Sequence, residues 1–530
     1  MTSYCSIGYL CIFLPVIIMM YKLTPQVHRW RVLLIASYAF YWYFSQKLII
    51  FLLLTTVSIY LIGKKLSNLQ DEYKRKIINL TKDEKKQIKL KYNNKKKRVM
   101  FFSVILHIGI LVIIKYTSFF LNNINSILEQ LNLIYRFEVP QFILPLGISF
   151  YTLQALSYLI DIYRGKIKAD QNIGRLALFL SFFPQIMEGP ICRYEETAMQ
   201  LMQGNDITYK SLTFGLQRIL FGVMKKVVVA DRLNLFIKTV FKDFEMYDGG
   251  VIAVAMICYT CQLYMEFSGT MDIVVGSGEI FRVKMPENFR QPFFSRTISD
   301  FWARWHITLG TWFRDYIFYP LSMSKPLKKM TLKYRKILGH YYGPMISGTI
   351  ALFAVWISNG LWHGAAWNYI FFGMYHFILL FLGNLLEPVY AYLFKKIHVN
   401  RNCQLYKFAQ IIKTVIFVNI CELFFRAHGL KAGLAMFYKM ITDFRFDTIS
   451  DGKIFEIAMD QYDFIIVFIA VLIVFVFSIL KERHIDIRQT ISQYHIVLRW
   501  SIYLSFIMFI VIFGAYGTGY IPIDPIYVNF

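Results

Sequence analysis

DFWARWHITLGTWFRDYIFYPL, Asp300–Leu321, is dense in aromatic residues yet holds one histidine, two arginines and two aspartates. Read as one helix, it sets Arg296, Asp300 and Arg304 four residues apart, so opposite charges become neighbours. His306 then lies on another face, with Trp302, Leu309, Gly310 and Phe313 near it at helical spacing. A titratable imidazole among aromatic rings, beside a self-neutralised charge ladder, suggests a site. The same residues also suit an interfacial helix, because Trp and Tyr favour the membrane boundary and Arg side chains snorkel towards it. Ionisable residues inside a membrane are functional by default.

Around this stretch the chain is 530 residues long, 56% hydrophobic and 18% aromatic. Its apolar runs repeat at about 20 residues, the length that crosses a bilayer. The expectation is an all-α polytopic membrane protein with roughly eleven membrane segments, some of them re-entrant. Short alternating strands, the mark of a barrel, are not seen. The net charge of +25 raises nucleic acid as a partner. Its distribution argues against that, since the basic residues cluster between apolar runs as in cytoplasmic loops. Cys258 and Cys261 form a C-x-x-C inside the apolar run Val251–Met265, with no second pair of comparable spacing. They read as helix packing, and no metal is expected. The N-terminal apolar run has no basic region before it and no small-residue cleavage site, so a retained span is expected.

Taken in order, residues 5–21, 32–45 and 48–63 read as spans. Lys64–Arg98 holds fourteen Lys/Arg against four Asp/Glu, net +10 (14 − 4), and reads as a solvated cytoplasmic hairpin that also attracts anionic headgroups. Residues 99–121 span again, and 140–163 return with a broken start at Pro145 and Gly147. Ile173–Pro190 is apolar but interrupted by Pro184, Glu188 and Gly189, so it is expected to be half-buried or re-entrant. Residues 211–240 read as an amphipathic stretch along the cytoplasmic surface. Residues 251–281 span, Ser322–Gly343 reads as a basic loop, and 345–361, 369–394, 404–425, 463–480 and 497–515 span. The expected division is 1–139 as N-terminal helices, 140–426 as a core and 427–530 as a C-terminal segment with two spans. No internal repeat is visible, which counts against a transporter built from inverted halves.

His306, in Arg-Trp-His, and His363, in Leu-Trp-His-Gly-Ala-Ala-Trp, stand 57 residues apart (363 − 306) with one loop and one span between them. The chain can therefore bring both to one cavity, and histidine is the usual general base near neutral pH. The small residues after His363 would let a long thin substrate approach the backbone. Neither histidine belongs to a Ser-His-Asp order, an H-E-x-x-H motif or a phosphate-binding loop. On spacing alone a packed, hydrogen-bonded histidine is the more common outcome. His376 reads as a buried structural group, and His340 as solvated. A channel or transporter would instead use Glu266, Asp272 and Glu422, and a docking scaffold would use the histidines only for stability.

Three ordered runs bear on the choice. They are Met265-Glu-Phe-Ser-Gly-Thr-Met-Asp-Ile-Val-Val-Gly, Met285-Pro-Glu-Asn-Phe, and Phe294 through Tyr316. Gly360-Leu-Trp-His-Gly-Ala-Ala-Trp and Phe424-Phe-Arg-Ala follow them. From about Pro140 onward the chain closely resembles the membrane-bound O-acyltransferase family, and within it the bacterial alginate O-acetyltransferase branch. In that branch a Gly-Gly-Asn-Arg turn usually follows Pro-Leu, where this chain has Ser322-Met-Ser-Lys-Pro.

The resemblance implies a helical ring around a central funnel with His306 and His363 as catalytic residues. Asp300, Trp302, Arg304, Trp305, Arg314, Asp315, Trp362 and Asn359 would shape the site. It implies no tightly bound cofactor. The co-substrate would be an acyl thioester donor, acetyl-CoA or an acyl carrier protein, reaching the basic cytoplasmic side. The acyl group, most simply acetyl, would go to a hydroxyl of an extracytoplasmic polysaccharide. An exported acyl-relay protein and a cytoplasmic donor protein are the implied partners, in a bacterial cell membrane. D-alanyl transfer to teichoic acid is the alternative on the same fold.

Overall fold

A computed structural model describes residues 4–78, 80–516 and 520. Among the described residues all regular structure is helical. Eight stretches are long and apolar enough to cross a membrane: 26–76, 82–130, 249–280, 325–363, 367–396, 404–426, 461–482 and 496–513. The chain divides into two compact units. One holds the described residues up to Gly215 with Ser277–Pro286; the other holds Leu216–Gly276 and the described residues from Glu287 on.

The first unit contains α1 (Leu14–Leu23), α2 (Arg29–Ser45), α3 (Ile49–Lys76), α4 (Lys82–Gln130), α5 (Ile148–Arg164) and α6 (Ile173–Ser181). The basic run is a helical hairpin rather than a loose one. α3 runs into it, and α4 starts from it on a capping box between Thr81 and Glu84. Its 49 residues measure about 73 Å at 1.5 Å per residue, more than twice a bilayer core. The basic end therefore projects into water.

α5 is buried almost all round, as a helix enclosed by others must be. It begins at Gly147, whose φ is +66° and whose Cβ, were there one, would sit 1.9 Å from the Ile186 carbonyl oxygen. Only glycine fits. After α6 the chain runs without helix through Phe182–Arg193, nearly all of it buried, as the interruptions in its sequence suggest. Side chains satisfy that backbone. Tyr4 Oη donates to the Phe183 carbonyl (2.9 Å) and accepts from Met187 N–H (3.1 Å), while Ser37 Oγ accepts from Phe183 N–H (3.0 Å). Irregular backbone at membrane depth survives only with such partners.

The second unit takes in most of α7 (Tyr209–Val223), then α8 (Asp231–Lys242) and most of α9 (Gly249–Ile280). It continues with α10 (Ile298–Arg304), α11 (Ile307–Phe313), α12 (Lys325–His363), α13 (Trp367–Lys396), α14 (Gln404–Arg426), α15 (Gln461–Glu482) and α16 (Ile496–Phe513). Two sequence expectations are corrected here. Residues 211–240 do not lie along a surface. A π-turn at Met224–Ala230 buries Lys225, Lys226, Asp231 and Arg232. Their charges are carried inward in pairs: Lys226 Nζ meets Asp231 at 2.7 Å, and Arg232 meets Asp463. The segment expected as a basic loop, Ser322–Gly343, is helical over most of its length. It forms the first part of α12, with a break at Gly339 (φ +77°).

Candidate active site

α9, α7 and the segment after α9 build the floor. Gly222 and Gly269 let α7 and α9 touch backbone to backbone, since a Cβ on Gly222 would stand 2.4 Å from the Gly269 carbonyl oxygen. Asp272, on the same side of α9, accepts from Arg218 Nε at 3.0 Å and from Lys225 Nζ at 2.6 Å. Arg218 also grips Glu287, donating through NH1 at 2.7 Å and NH2 at 2.5 Å. Partial burial would raise the Glu287 carboxyl, but the Arg218 guanidinium outweighs it and holds that group below the ordinary range.

Phe301–Leu321 is not one helix, contrary to its helical spacing. α10 begins on the Thr297 hydroxyl, which accepts from Asp300 N–H at 3.0 Å. It ends at Arg304, and His306 takes a left-handed backbone conformation, φ 46° and ψ 50°. For a non-glycine residue that conformation costs about 1–2 kcal/mol. The break is held by residues 288–290, which run alongside it. Arg290 N–H donates to the Arg304 carbonyl and Ile307 N–H to the Asn288 carbonyl, each at 3.0 Å. Asn288 Oδ1 accepts from Thr308 N–H (3.0 Å) and Thr308 Oγ1 (2.7 Å). Asn288, 1% exposed, holds this turn and is a site residue that sequence reasoning misses. Its one signal is the polar Met285-Pro-Glu-Asn-Phe break, which gives the asparagine no task of its own.

The left-handed turn aims His306 at aromatic rings. Its imidazole meets the edge of Phe267 at 4.8 Å between centroids and the Trp362 indole at 5.6 Å. Trp362 in turn lies 5.1 Å from His363, so one indole joins the two histidines. His363 also packs on Phe372 (5.4 Å) and Phe425 (5.3 Å). Both histidines are buried, at 2% and 4% exposure. Burial pushes the His306 imidazole well below its ordinary value, which keeps that ring neutral at physiological pH and makes it a weaker base than a free imidazole.

The site-shaping residues fall into two groups. Trp302, Trp305, Trp362 and Asn359 are in or against the cluster. Trp302 lies 4.9 Å from Trp356 and 4.9 Å from His376. Trp305 stacks on Phe301 at 5.4 Å and meets Phe289 edge-on at 5.1 Å. Asn359 sits one turn before His363 on α12, buried, and its Oδ1 has no hydrogen-bond partner among the described residues. The charged residues sit further out. Arg304 bridges Asp300, at 2.9 Å, and Glu482. Arg314 pairs with Asp315 at 3.0 Å on a π-turn, and is about half exposed. His376 also belongs to the ring cluster. It is fully buried, lies 5.0 Å from Phe372, and neither ring nitrogen has a hydrogen-bond partner among the described residues.

One expectation about this cluster is corrected. The space beside Gly364 is filled, because a Cβ there would meet the Tyr369 ring at 2.3 Å. Gly364 makes room for the Tyr369 ring rather than for a substrate. Gly360 and Gly373 serve packing likewise, allowing α12 and α13 to approach until a Gly373 Cβ would stand 2.4 Å from the Trp356 carbonyl oxygen.

The family model described as MBOAT, membrane-bound O-acyltransferase family, matches residues 170–334. A probable alginate O-acetylase of Pseudomonas syringae pv. tomato is 32% identical over 368 residues, which is 69% of this chain and 63% of that protein. The peptidoglycan O-acetyltransferase of Helicobacter pylori is 31% identical over 66% of this chain and 66% of its own. The teichoic acid D-alanyltransferase of Bacillus subtilis is 31% identical over 46% of this chain and 59% of its own. The chain thus spans less than two thirds of the length of these relatives.

Proposed function

The chain belongs to the membrane-bound O-acyltransferase family, and on that premise we propose that it moves an acyl group, acetyl first of all, from a cytoplasmic thioester to a hydroxyl of an extracytoplasmic polysaccharide. The observation that carries this reading is the Trp362 contact that joins His306 to His363 in a buried aromatic enclosure. The acceptor oxygen attacks the thioester carbonyl while one histidine takes its proton. The tetrahedral intermediate collapses, the C–S bond breaks, and the thiolate leaves and is reprotonated. The other histidine donates to the developing oxyanion or positions the acceptor. The surrounding rings exclude water, which strengthens each of these interactions.

The donor is acetyl-CoA or an acyl carrier protein, drawn to the basic cytoplasmic side by the hairpin of α3 and α4. An exported relay protein completes the transfer to polymer in the bacterial cell membrane. Asp300, Arg304, Arg314 and Asp315 hold the shape of the segment around His306. A second reading, D-alanyl transfer to teichoic acid, is favoured by the similarity to the Bacillus subtilis protein.

The test compares cells carrying wild-type, His306→Ala or His363→Ala protein at matched membrane levels. Base-released acetate and D-alanine are measured separately on surface and secreted polysaccharide. Acetate lost in both variants supports the first reading, and D-alanine lost instead supports the second. No change in either sinks both.

A further inference from the structure

Two cavities adjoin in the second unit and have opposite character. The smaller, about 40 Å³, is lined by Arg218, Lys225, Asp272, Glu287 and Lys481 among others. That volume holds about three waters or the oxygens of one anionic group. The larger, about 220 Å³, is apolar and lies among Ile257, Cys261, Met265, Phe293, Val415 and Phe475. Tyr264, Gln291, Val474 and Ser478 line both. A charged space thus continues into an apolar one.

The charges around the smaller cavity do not cancel. Arg218 and Lys225 are matched by Asp272 and Glu287 through the contacts given above. Lys481, at the end of α15, is exposed and forms no ion pair among the described residues; its Nζ lies 6.0 Å from the Phe221 ring. One positive charge remains. The mouth of the apolar cavity faces sideways. Ile257 on α9 and Phe475 on α15 are 56% and 50% exposed on helices long enough to cross the membrane, so in place they face hydrocarbon. A cation at the end of an apolar span, beside a slot open to lipid tails, matches a phosphate headgroup with its chain.

We propose that the two cavities bind one anionic phospholipid, its phosphate at Lys481 and one acyl chain between α9, α14, α15 and the Pro292–Phe294 turn. Neither histidine lines the site, although Asn288 and Phe289 of the segment beside His306 line its smaller cavity, and it does not depend on the acyl-transfer reading.

The test is native mass spectrometry of the full chain in mild detergent, with phosphatidylglycerol or phosphatidylcholine of identical chains added. One phosphatidylglycerol should be retained in preference to phosphatidylcholine. Lys481→Glu should cut that preference about fivefold, the effect of one basic residue at a headgroup, and Cys261→Trp should reduce retention of both lipids. Equal retention of the two lipids overturns the proposal, as does a preference that Lys481→Glu leaves intact. Stoichiometric displacement of the lipid by coenzyme A also overturns it, because the cavity would then belong to a soluble phosphate donor. Wild-type protein gives an independent reading with phosphatidylglycerol carrying a diazirine in its acyl chain. Adducts on residues 257–265 or 292–294 support the site, and adducts confined elsewhere overturn it.

Discussion

Two clusters of buried titratable groups in the second unit are treated in opposite ways. Around Asp272 the buried charges are met by opposite charges, with the exposed Lys481 left over: Lys225 at 2.6 Å, Arg218 at 3.0 Å, and Glu287 on the far side of Arg218. Around His306 and His363 the neighbours are rings: Phe267, Trp362, Phe372 and Phe425. Ion pairing fixes a protonation state and ties helices together. Aromatic enclosure excludes water and leaves an imidazole unprotonated. A transporter would draw on Asp272, but an aspartate gripped by two cations is poorly suited to carry a solute. The first cluster is built for stability, and the second is the one to which we assign chemistry.

The histidines give the largest expected effect. General base catalysis is worth about 10²–10⁴-fold. His306→Ala and His363→Ala should each lower acyl transfer by that order while the protein reaches the membrane at wild-type levels, read by polymer-bound acetate per folded molecule. Full activity in both variants would remove the contrast. Asp272→Ala should do the reverse. Lys225 is 6% exposed and would lose its carboxylate, at a cost of about 3–5 kcal/mol. Thermal unfolding in detergent should fall sharply, and the double variant Asp272→Asn/Lys225→Met should recover much of it. If Asp272→Ala melts as wild type, the stabilising role assigned to that cluster is wrong.

Much of this contrast is legible in the amino-acid sequence. Apolar runs of membrane length point to the helical class, and His306 and His363 stand out because a histidine beside tryptophan in an apolar chain is conspicuous. The charge of Lys64–Arg98 marks a solvated hairpin, and its helicity continues that of the spans on either side. Periodicity is what misleads. Residues 300–321 have helical spacing throughout, yet tertiary hydrogen bonds to Asn288 and from Arg290 override it and turn the chain at His306. The amphipathic pattern at 211–240 looks like a surface helix because a one-dimensional pattern does not show that Lys226 and Arg232 have carboxylates waiting inside. Asn288 is invisible for the same reason, since both hydrogen bonds that its side chain accepts come from a residue 20 positions on.

Asn288 sharpens the comparison at intermediate size, because it belongs to neither cluster and positions one of them. Asn288→Ala strips the acceptor from Thr308 N–H and Thr308 Oγ1, leaving buried donors at about 1–3 kcal/mol each. His306 then loses the register that aims it at Trp362. Turnover should fall about tenfold or more, corresponding to about 1.4 kcal/mol in the barrier, with KM for donor little changed. Asn288→Asp keeps an oxygen in place and should restore most of the rate. An Asn288→Ala protein that melts early but turns over normally per folded molecule would move Asn288 into the stabilising group.

The smallest effect tests the outer edge of the ion cluster by pH. The Glu287 carboxyl is held below its ordinary value of about 4.3 by Arg218. A depressed carboxylate contributes stability above the unfolded value and loses it as pH falls through the folded one. Glu287 is 55% exposed, so solvent screens the pair and the contribution stays within the 0–1 kcal/mol of surface bridges. Wild type should therefore melt about 1–2 °C above Glu287→Gln. That gap should be constant above about pH 5 and close as the pH drops below about 4.3. A gap that persists at low pH would mean Glu287 acts through packing rather than charge. Arg218 would then rest on Asp272 alone, and the ion cluster would end at α9.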